Sequence, residues 1–337
     1  MKIFITGATG YIGQKLALKL ADDGHQVVAL VRDKSKSDKY LIHPEILCIR
    51  GNLFNYNKLL SLMQGCQAVY HLAALASVWH KQPDAFYLNN VTGLKNILDC
   101  CLELGIKDVV FTSTAGVVGH SLDGDDVKEN THTYPKLETD YERSKVAAEN
   151  LIETYCSKGI RGIIVNPSRV YGPGLLTESN GVTRLIKMYI TGTWHIIPGN
   201  GKSIGNYVFI DDVVKGHMLA MKNGTPGERY LLGGENSSFL NFFNLLKQLS
   251  GKEYWLFKFP LPLMLLLSHV FLIWAKTTGR QPIITPPFVR KYNKNWLLSS
   301  DKAKKELCYT ITPLREGITK TLNWLTYSEA TAATNSL

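Results

Sequence analysis

Tyr141 and Lys145 stand four residues apart in the run Tyr141-Glu142-Arg143-Ser144-Lys145. On a helix that spacing puts both side chains on one face. A phenol, with a pKa near about 10, is a poor acid or base at neutrality. A neighbouring ammonium favours the phenolate and lowers that value. The pair therefore reads as a proton-transfer device in which Tyr141 gives a proton to a carbonyl oxygen, or takes one from an alcohol, with Lys145 as activator. The pattern YxxxK is common in helices and gains meaning from its place. It follows the apolar run Val109–Thr112, whose end carries Thr112-Ser113-Thr114-Ala115-Gly116. A hydroxyl there can orient a substrate oxygen, or simply cap a turn.

A second constellation opens the chain. Thr6-Gly7-Ala8-Thr9-Gly10-Tyr11-Ile12-Gly13 spaces its glycines GxxGxxG between an apolar run, Ile3–Ile5, and a segment with Ile12, Leu16 and Leu20 at helical spacing. Gly7 permits the tight turn, Gly10 lets the backbone approach a pyrophosphate, and Gly13 lets the helix pack on the strand. The helix N-terminus then offers free N–H groups to that phosphate. At the end of the next apolar run stand Val31-Arg32-Asp33-Lys34. An acidic residue at that strand end would bind a ribose 2′-hydroxyl and select NAD. Arg32, with Lys34 adding charge, suits a 2′-phosphate instead. NADP(H) is the expected cofactor, and Asp33 keeps NAD(H) open.

The elements that must position these groups alternate. Apolar runs at Ile3–Ile5, Val27–Val31, Ile46–Ile49, Ala68–Leu72, Val109–Thr112 and Gly162–Val165 read as buried strands. Between them lie amphipathic stretches, including Asn55–Gln64, a long helix from about Pro83 to Leu104, and the helix Tyr141–Tyr155. Such alternation predicts an α/β fold: a Rossmann-type doubly wound parallel sheet with ligands at the carboxyl ends of its strands. Residues 1–170 form the expected dinucleotide domain. Residues 171–330, richer in Gly, Pro and aromatics, form a smaller, loop-rich substrate-binding part that returns to the main sheet near Tyr207–Ile210 and Arg229–Leu232. The expected helix starts in the tail are Ser299 or Ser300, and Thr312 as N-cap before Pro313. Residues 331–337 read as a disordered tail.

At 337 residues and net charge +10 the chain has the composition of a soluble globular protein. Its basic residues are scattered, with no aromatic-interleaved basic block, so no nucleic-acid partner is expected. The charge suits an anionic cofactor or a weak preference for anionic membrane surfaces. Cys48, Cys66, Cys100, Cys101, Cys156 and Cys308 lack zinc spacing. His71, His80 and His195 have no second ligand at such spacing, and no metal is assigned. A strand already at residues 1–5 leaves no room for a signal peptide, so a reducing, cytoplasmic setting is expected. Leu261–Ala275 (LPLMLLLSHVFLIWA) is short for a span and holds Ser268 and His269. It reads as a buried helix or pocket wall, with a peripheral membrane anchor, helped by Lys276 and Arg280, as the alternative.

The glycine pattern, His71-Leu72-Ala73-Ala74, Asn90-Val91-Thr92-Gly93, FTSTAG, YxxxK and Asn166-Pro167-Ser168-Arg169-Val170-Tyr171-Gly172-Pro173 occur in that order. Together they resemble the extended short-chain dehydrogenase/reductase superfamily across nearly the whole chain. FTSTAG and the Val-Arg-Asp strand end most resemble dihydroflavonol-4-reductase-like and 3β-hydroxysteroid-dehydrogenase-like members. The resemblance implies Thr114 as the catalytic hydroxyl, Tyr141 as acid/base, Lys145 as its activator and donor to the nicotinamide ribose, and Asn90 in a proton relay. It also places Asn52 and Leu53 near adenine, where the family commonly has Asp-Leu. Ala73 and Ala74 then line the cofactor channel, and Pro167 and Ser168 lie at the nicotinamide amide. The implied activity is an NADP(H)-dependent interconversion of a carbonyl and a secondary alcohol. Apolar and aromatic residues near Trp194, Tyr207 and Leu261–Trp274 suggest a largely apolar substrate. The alternatives are a nucleotide-sugar epimerase with transient hydride transfer and a non-catalytic cofactor sensor. Ala115-Gly116 stand where the family's dehydratases carry Asp–Glu, which argues against dehydration. A monomer, or a homodimer through the helices Pro83–Leu104 and Tyr141–Tyr155, is expected.

Overall fold

Seven strands build the main sheet: β1 (Lys2–Thr6), β2 (Gln26–Val31), β3 (Ile46–Arg50), β4 (Ala68–His71), β5 (Asp108–Thr112), β6 (Arg161–Pro167) and β7 (Arg229–Leu232). The structure is a computed structural model that describes residues 1–122, 124–131, 137–177 and 180–334, with side chains through 327. The spatial order is β7-β6-β5-β4-β1-β2-β3, and all six pairings are parallel. Near-continuous apolar runs such as Ile3-Phe4-Ile5 suit strands covered on both faces. The two faces of the sheet carry separate cores. One joins helix α1 (Tyr11–Asp22) and the substrate-side elements to one face. The other packs α2 (Gly93–Leu104) and α3 (Asp140–Cys156) on the opposite face.

The chain order reverses between β1 and β4, so their carboxyl ends splay into a crevice. The glycine turn follows β1 there, and the loop carrying Ala73 and Ala74 follows β4.

Several expectations change in detail. The long helix before Leu104 is a short helix, Asp84–Tyr87, then a π turn, Leu88–Thr92, then α2. The π turn holds Asn90 buried, and such turns gather at functional sites. Arg229–Leu232 does return to the main sheet, but Tyr207 does not. It lies in Ile204–Phe209, the centre of a separate three-stranded sheet between Arg169–Tyr171 and Glu235–Ser238. Pairing with Arg169–Tyr171, just beyond β6, draws it away. Ser300 stands at the N-cap position of the helix Asp301–Leu307, but the hydroxyl that accepts from the Asp301 N–H (3.1 Å) is that of Ser299. Thr312 is no cap, because its N–H and hydroxyl both donate to Asp212 (2.7 and 2.8 Å). The final helix begins at Leu314 and runs to Thr334, so the stretch 331–337, read as disordered, falls partly on this helix. Residues 335–337 lie outside the described residues.

Candidate active site

The glycine turn is built by exclusion. Gly7 has φ +77°, and a Cβ there would lie 2.6 Å from the Ala73 nitrogen. A Cβ on Gly13 would lie 2.2 Å from the Gly7 carbonyl oxygen, so α1 starts against the turn itself. Gly10 is the N-cap residue of α1 and supplies no side-chain cap. The first N–H groups of α1, from Tyr11 and Ile12 onward, thus remain for an anion. Thr9 is partly exposed in the same turn. The Tyr11 hydroxyl donates to the Gly172 carbonyl (2.8 Å), tying the turn to the segment after Pro167 and Ser168. Thr6 fastens the opposite wall: its hydroxyl meets His71 Nδ1 at 2.9 Å and accepts from the Ala73 N–H at 3.3 Å. Burial pushes the His71 imidazole down to about 3, which favours its neutral form.

Beyond β2 and β3 a cavity is lined by Arg32, Arg50, Gly51, Asn52, Asn55 and Lys58. None of its three cations has an acidic partner among the described residues. Asp33, the residue that kept NAD open, is otherwise engaged: its carboxylate caps the next helix, accepting from the Ser35 N–H (3.0 Å) and hydroxyl (2.7 Å). Lys34 begins that helix and is exposed. The Asn52 amide oxygen accepts from the N–H groups of Phe54 and Asn55 (2.8 and 3.1 Å), leaving its NH₂ for a base edge. Leu53 packs on Gly93, where a Cβ would lie 2.8 Å from Leu53 Cδ1. Arg50 and Lys58 escaped the sequence analysis. The rule that ligands sit beyond strand ends would have found Arg50. Lys58 needed the fold, because it comes from the following helix.

At the other end of the crevice, Thr139 caps α3 two residues before Tyr141. Its hydroxyl accepts from the Glu142 N–H (3.2 Å), and Glu142 accepts in return from the Thr139 N–H (3.3 Å), a capping box. Lys145, 2% exposed, donates to the Thr112 carbonyl at 2.7 Å and lies 4.6 Å from the Phe111 ring centroid. That bond seats α3 on the end of β5. His217, on helix α4 (Ile210–Asn223), braces the same spot. Its Nδ1–H donates to the Val213 carbonyl (2.7 Å), which leaves Nε2 to accept from the Thr112 hydroxyl (2.9 Å). Thr114 caps a short 3₁₀ turn, its hydroxyl accepting from the Gly116 N–H at 3.2 Å. Behind it, the Asn166 amide donates to the Thr114 carbonyl (3.0 Å) and to Glu149 (2.7 Å). Arg229 reaches the same buried carboxylate at 3.1 Å. Glu149 also escaped notice, although it stands one turn beyond Lys145.

Asn90 is a clamp. Its amide oxygen accepts from the Leu75 N–H (2.7 Å), and its NH₂ donates to the Leu75 carbonyl (3.3 Å) and the Ser144 hydroxyl (2.9 Å). The loop after β4 is thereby joined to α3, and none of these bonds runs to Lys145. The Ser168 hydroxyl donates to Asn206 (2.6 Å), and Pro167 ends β6 in register with Leu232.

One electrostatic expectation is corrected. Burial, and secondarily the Glu142 carboxylate, push the Tyr141 phenol up, not down. Burial pushes Lys145 down to about 7, against the pull of Glu149. Removal from water drives each group toward its neutral form, and Lys145 spends its proton on Thr112 rather than on the phenol. A second correction concerns the apolar residues near the site. Tyr207 is core, stacked on Phe242 at 4.7 Å. The Trp194 indole N–H donates to Ile196 (2.6 Å). The helix Leu261–Thr278 buries only Ser268 and Ala275. Tyr207 is thus packing, and the helix is exposed where burial was expected.

Residues 3–233 match the family model described as "NAD dependent epimerase/dehydratase family". The chain belongs to this family. As a member of the extended short-chain dehydrogenase/reductase type it is an NAD(P)-dependent enzyme of the dehydrogenase, reductase and epimerase group. It is 32% identical to a protein of Synechocystis sp. provisionally named dihydroflavonol 4-reductase, over 95% of this chain and 93% of that one. It is 25% identical to the sterol-4-alpha-carboxylate 3-dehydrogenase, decarboxylating, of Mus musculus, covering 95% and 90% of the two chains. The UDP-glucose 4-epimerase of Thermotoga maritima, solved with UDP-glucose, superposes with a TM-score of 0.81 over 98% of this chain and 100% of that one. At 22% identity this is a likeness of fold alone.

The chain's residues fit the family's dinucleotide. A side chain at Gly7 or Gly13 would fill the phosphate cradle, and an uncapped helix start faces it. When bound, that group would supply or accept the hydride. Tyr141, Thr114 and Lys145 are the groups with exchangeable hydrogens that the ends of β5 and α3 bring to this part of the chain.

Proposed function

We propose that this enzyme is an NADP(H)-dependent reductase that converts a carbonyl to a secondary alcohol, with Tyr141 as general acid. The observation that carries the proposal is the cavity of Arg32, Arg50 and Lys58 beyond β2 and β3, with Asp33 committed to a helix cap. Three cations without acidic partners among the described residues suit a 2′-phosphate, where an NAD site needs a free carboxylate. Reduction is the direction in which Tyr141 acts as the acid. A phenol pushed up by burial is held protonated, the form that donates to a carbonyl oxygen. Thr114 and Tyr141 together would hold that oxygen, while Asn90 and the Glu149–Asn166 pair keep their loops in place. Lys145 holds the nicotinamide ribose in its charged form. An apolar substrate is supported by the mouse relative, whose name gives a sterol substrate.

Paired titrations with NADPH and NADH, followed by a panel of ketones, aldehydes and nucleotide sugars, test the proposal. NADPH should bind about tenfold tighter or more, and ketones should consume it at the nicotinamide band. Copurified, non-exchanging NAD(H) with turnover of a nucleotide sugar and no net redox would replace the proposal with epimerisation.

A further inference from the structure

The helix α5 (Leu261–Thr278) is built inside out for a soluble domain. The side chains it buries fully are the small Ser268 and Ala275, both 0% exposed, and Ser268 spends its hydroxyl on the Leu265 carbonyl (2.6 Å). Its solvent side carries Leu263, Leu266, Leu267, Val270, Ile273 and Trp274, with Leu266 61% and Ile273 64% exposed. At 1.5 Å per residue this face runs about 16 Å. Nearby, Trp255, Phe257 and Ile283 are exposed as well, Trp255 by 77%. Apolar surface this concentrated marks an interaction site.

Charge selects the partner. Between Glu253 and Asp301 the sequence holds six basic residues and no acidic one. Arg290 and Lys291 are spent on Glu138 and Glu142. Lys258, Lys276, Arg280 and Lys294 have no ion pair among the described residues, and the first three bracket α5 at its two ends. An apolar helix with tryptophan and flanking cations suits the headgroup boundary of an anionic bilayer. Although α5 is long and apolar enough to cross a membrane by length and composition, both of its ends are fastened to the body. Phe257–Phe259 pairs with Ile196–Pro198 before it, and Gln281 donates to the Ser77 hydroxyl (3.3 Å) after it. We infer that α5 lies in the plane of an anionic phospholipid surface and docks the enzyme there, next to the loop after β4 that walls the active site. This goes beyond the redox proposal and stands without it.

Vesicle sedimentation with the full chain tests the inference, using phosphatidylcholine alone and phosphatidylcholine mixed with phosphatidylglycerol. The native chain should pellet with the mixed vesicles, with a blue shift of tryptophan emission, and much less with neutral ones. The triple substitution Leu266→Glu, Val270→Glu, Ile273→Glu should weaken the partition about tenfold or more. Lys258→Gln, Lys276→Gln, Arg280→Gln should remove the dependence on phosphatidylglycerol. Near-ultraviolet circular dichroism should stay native in both, since the altered residues are exposed. Native protein left in the supernatant with mixed vesicles overturns the inference, and so does binding indifferent to phosphatidylglycerol. A dimer in sedimentation equilibrium that the triple substitution dissolves, without vesicle binding, would assign the face to a second copy of the chain.

Discussion

At the open ends of β2 and β3, Arg32, Arg50 and Lys58 stand at the surface with no acidic partner among the described residues, whereas at the end of β5 Lys145 is enclosed by a carbonyl, a phenyl ring and a buried carboxylate one turn away. The crevice between β1 and β4 joins these two ends. The first set lies open to water and lines a cavity, an arrangement suited to affinity and discrimination for an anion, screened by salt. Exclusion of water drives the second set toward neutrality, which poises protons rather than binding charge. The proposed function therefore separates recognition from reactivity along one cofactor track, and substitutions at its two ends should fail in different ways.

The largest expected effect is at the buried end. Tyr141→Phe should lower kcat by about 10²- to 10⁴-fold, with the dissociation constant of NADPH, measured by fluorescence titration, nearly unchanged. A large loss of binding would erase the division between the two ends. Next comes the exposed end. Arg32→Ala should weaken NADPH about ten- to hundredfold while NADH changes little. Added salt should narrow the difference between the two cofactors. Equal losses for both cofactors would remove the 2′-phosphate from this cavity.

A smaller effect is a pH inflection. Lys145, pushed down to about 7 by burial, is an ammonium below that pH and neutral above it. The reductive kcat/KM should therefore fall with unit slope as pH rises through about 7, since the charged form holds the ribose. Lys145→Met should abolish the inflection. A profile flat in the native enzyme through that range would mean that Lys145 keeps its proton. The smallest effect is Thr139→Ala, which removes the cap of α3. A loss of about 1 kcal/mol in denaturant unfolding is expected, with kcat changed far less than in Tyr141→Phe.

Much of the fold was legible in the sequence because parallel strands buried on both faces must be apolar throughout. Ile3–Ile5, Val27–Val31 and Val109–Thr112 announce themselves, and alternation with helical spacing then fixes their neighbours. The return of Arg229–Leu232 was legible for the same reason. Ile204–Phe209 was misplaced because the same β pattern serves a main sheet and a small separate one, and only pairing with Arg169–Tyr171 distinguishes them. Leu261–Trp274 misled more. Burial was the natural expectation for so apolar a run, yet its small residues face the body and its large ones face outward.

By itself the sequence determined the phosphate turn and the Tyr141–Lys145 pair, because glycine freedom and the spacing of one helical turn are local properties carried by neighbouring residues. Tertiary structure alone decided the protonation tendencies of that pair, the gathering of Arg50 and Lys58 beside Arg32, and the outward face of α5. Each depends on what water can reach, and solvent access is settled by elements far apart in the chain.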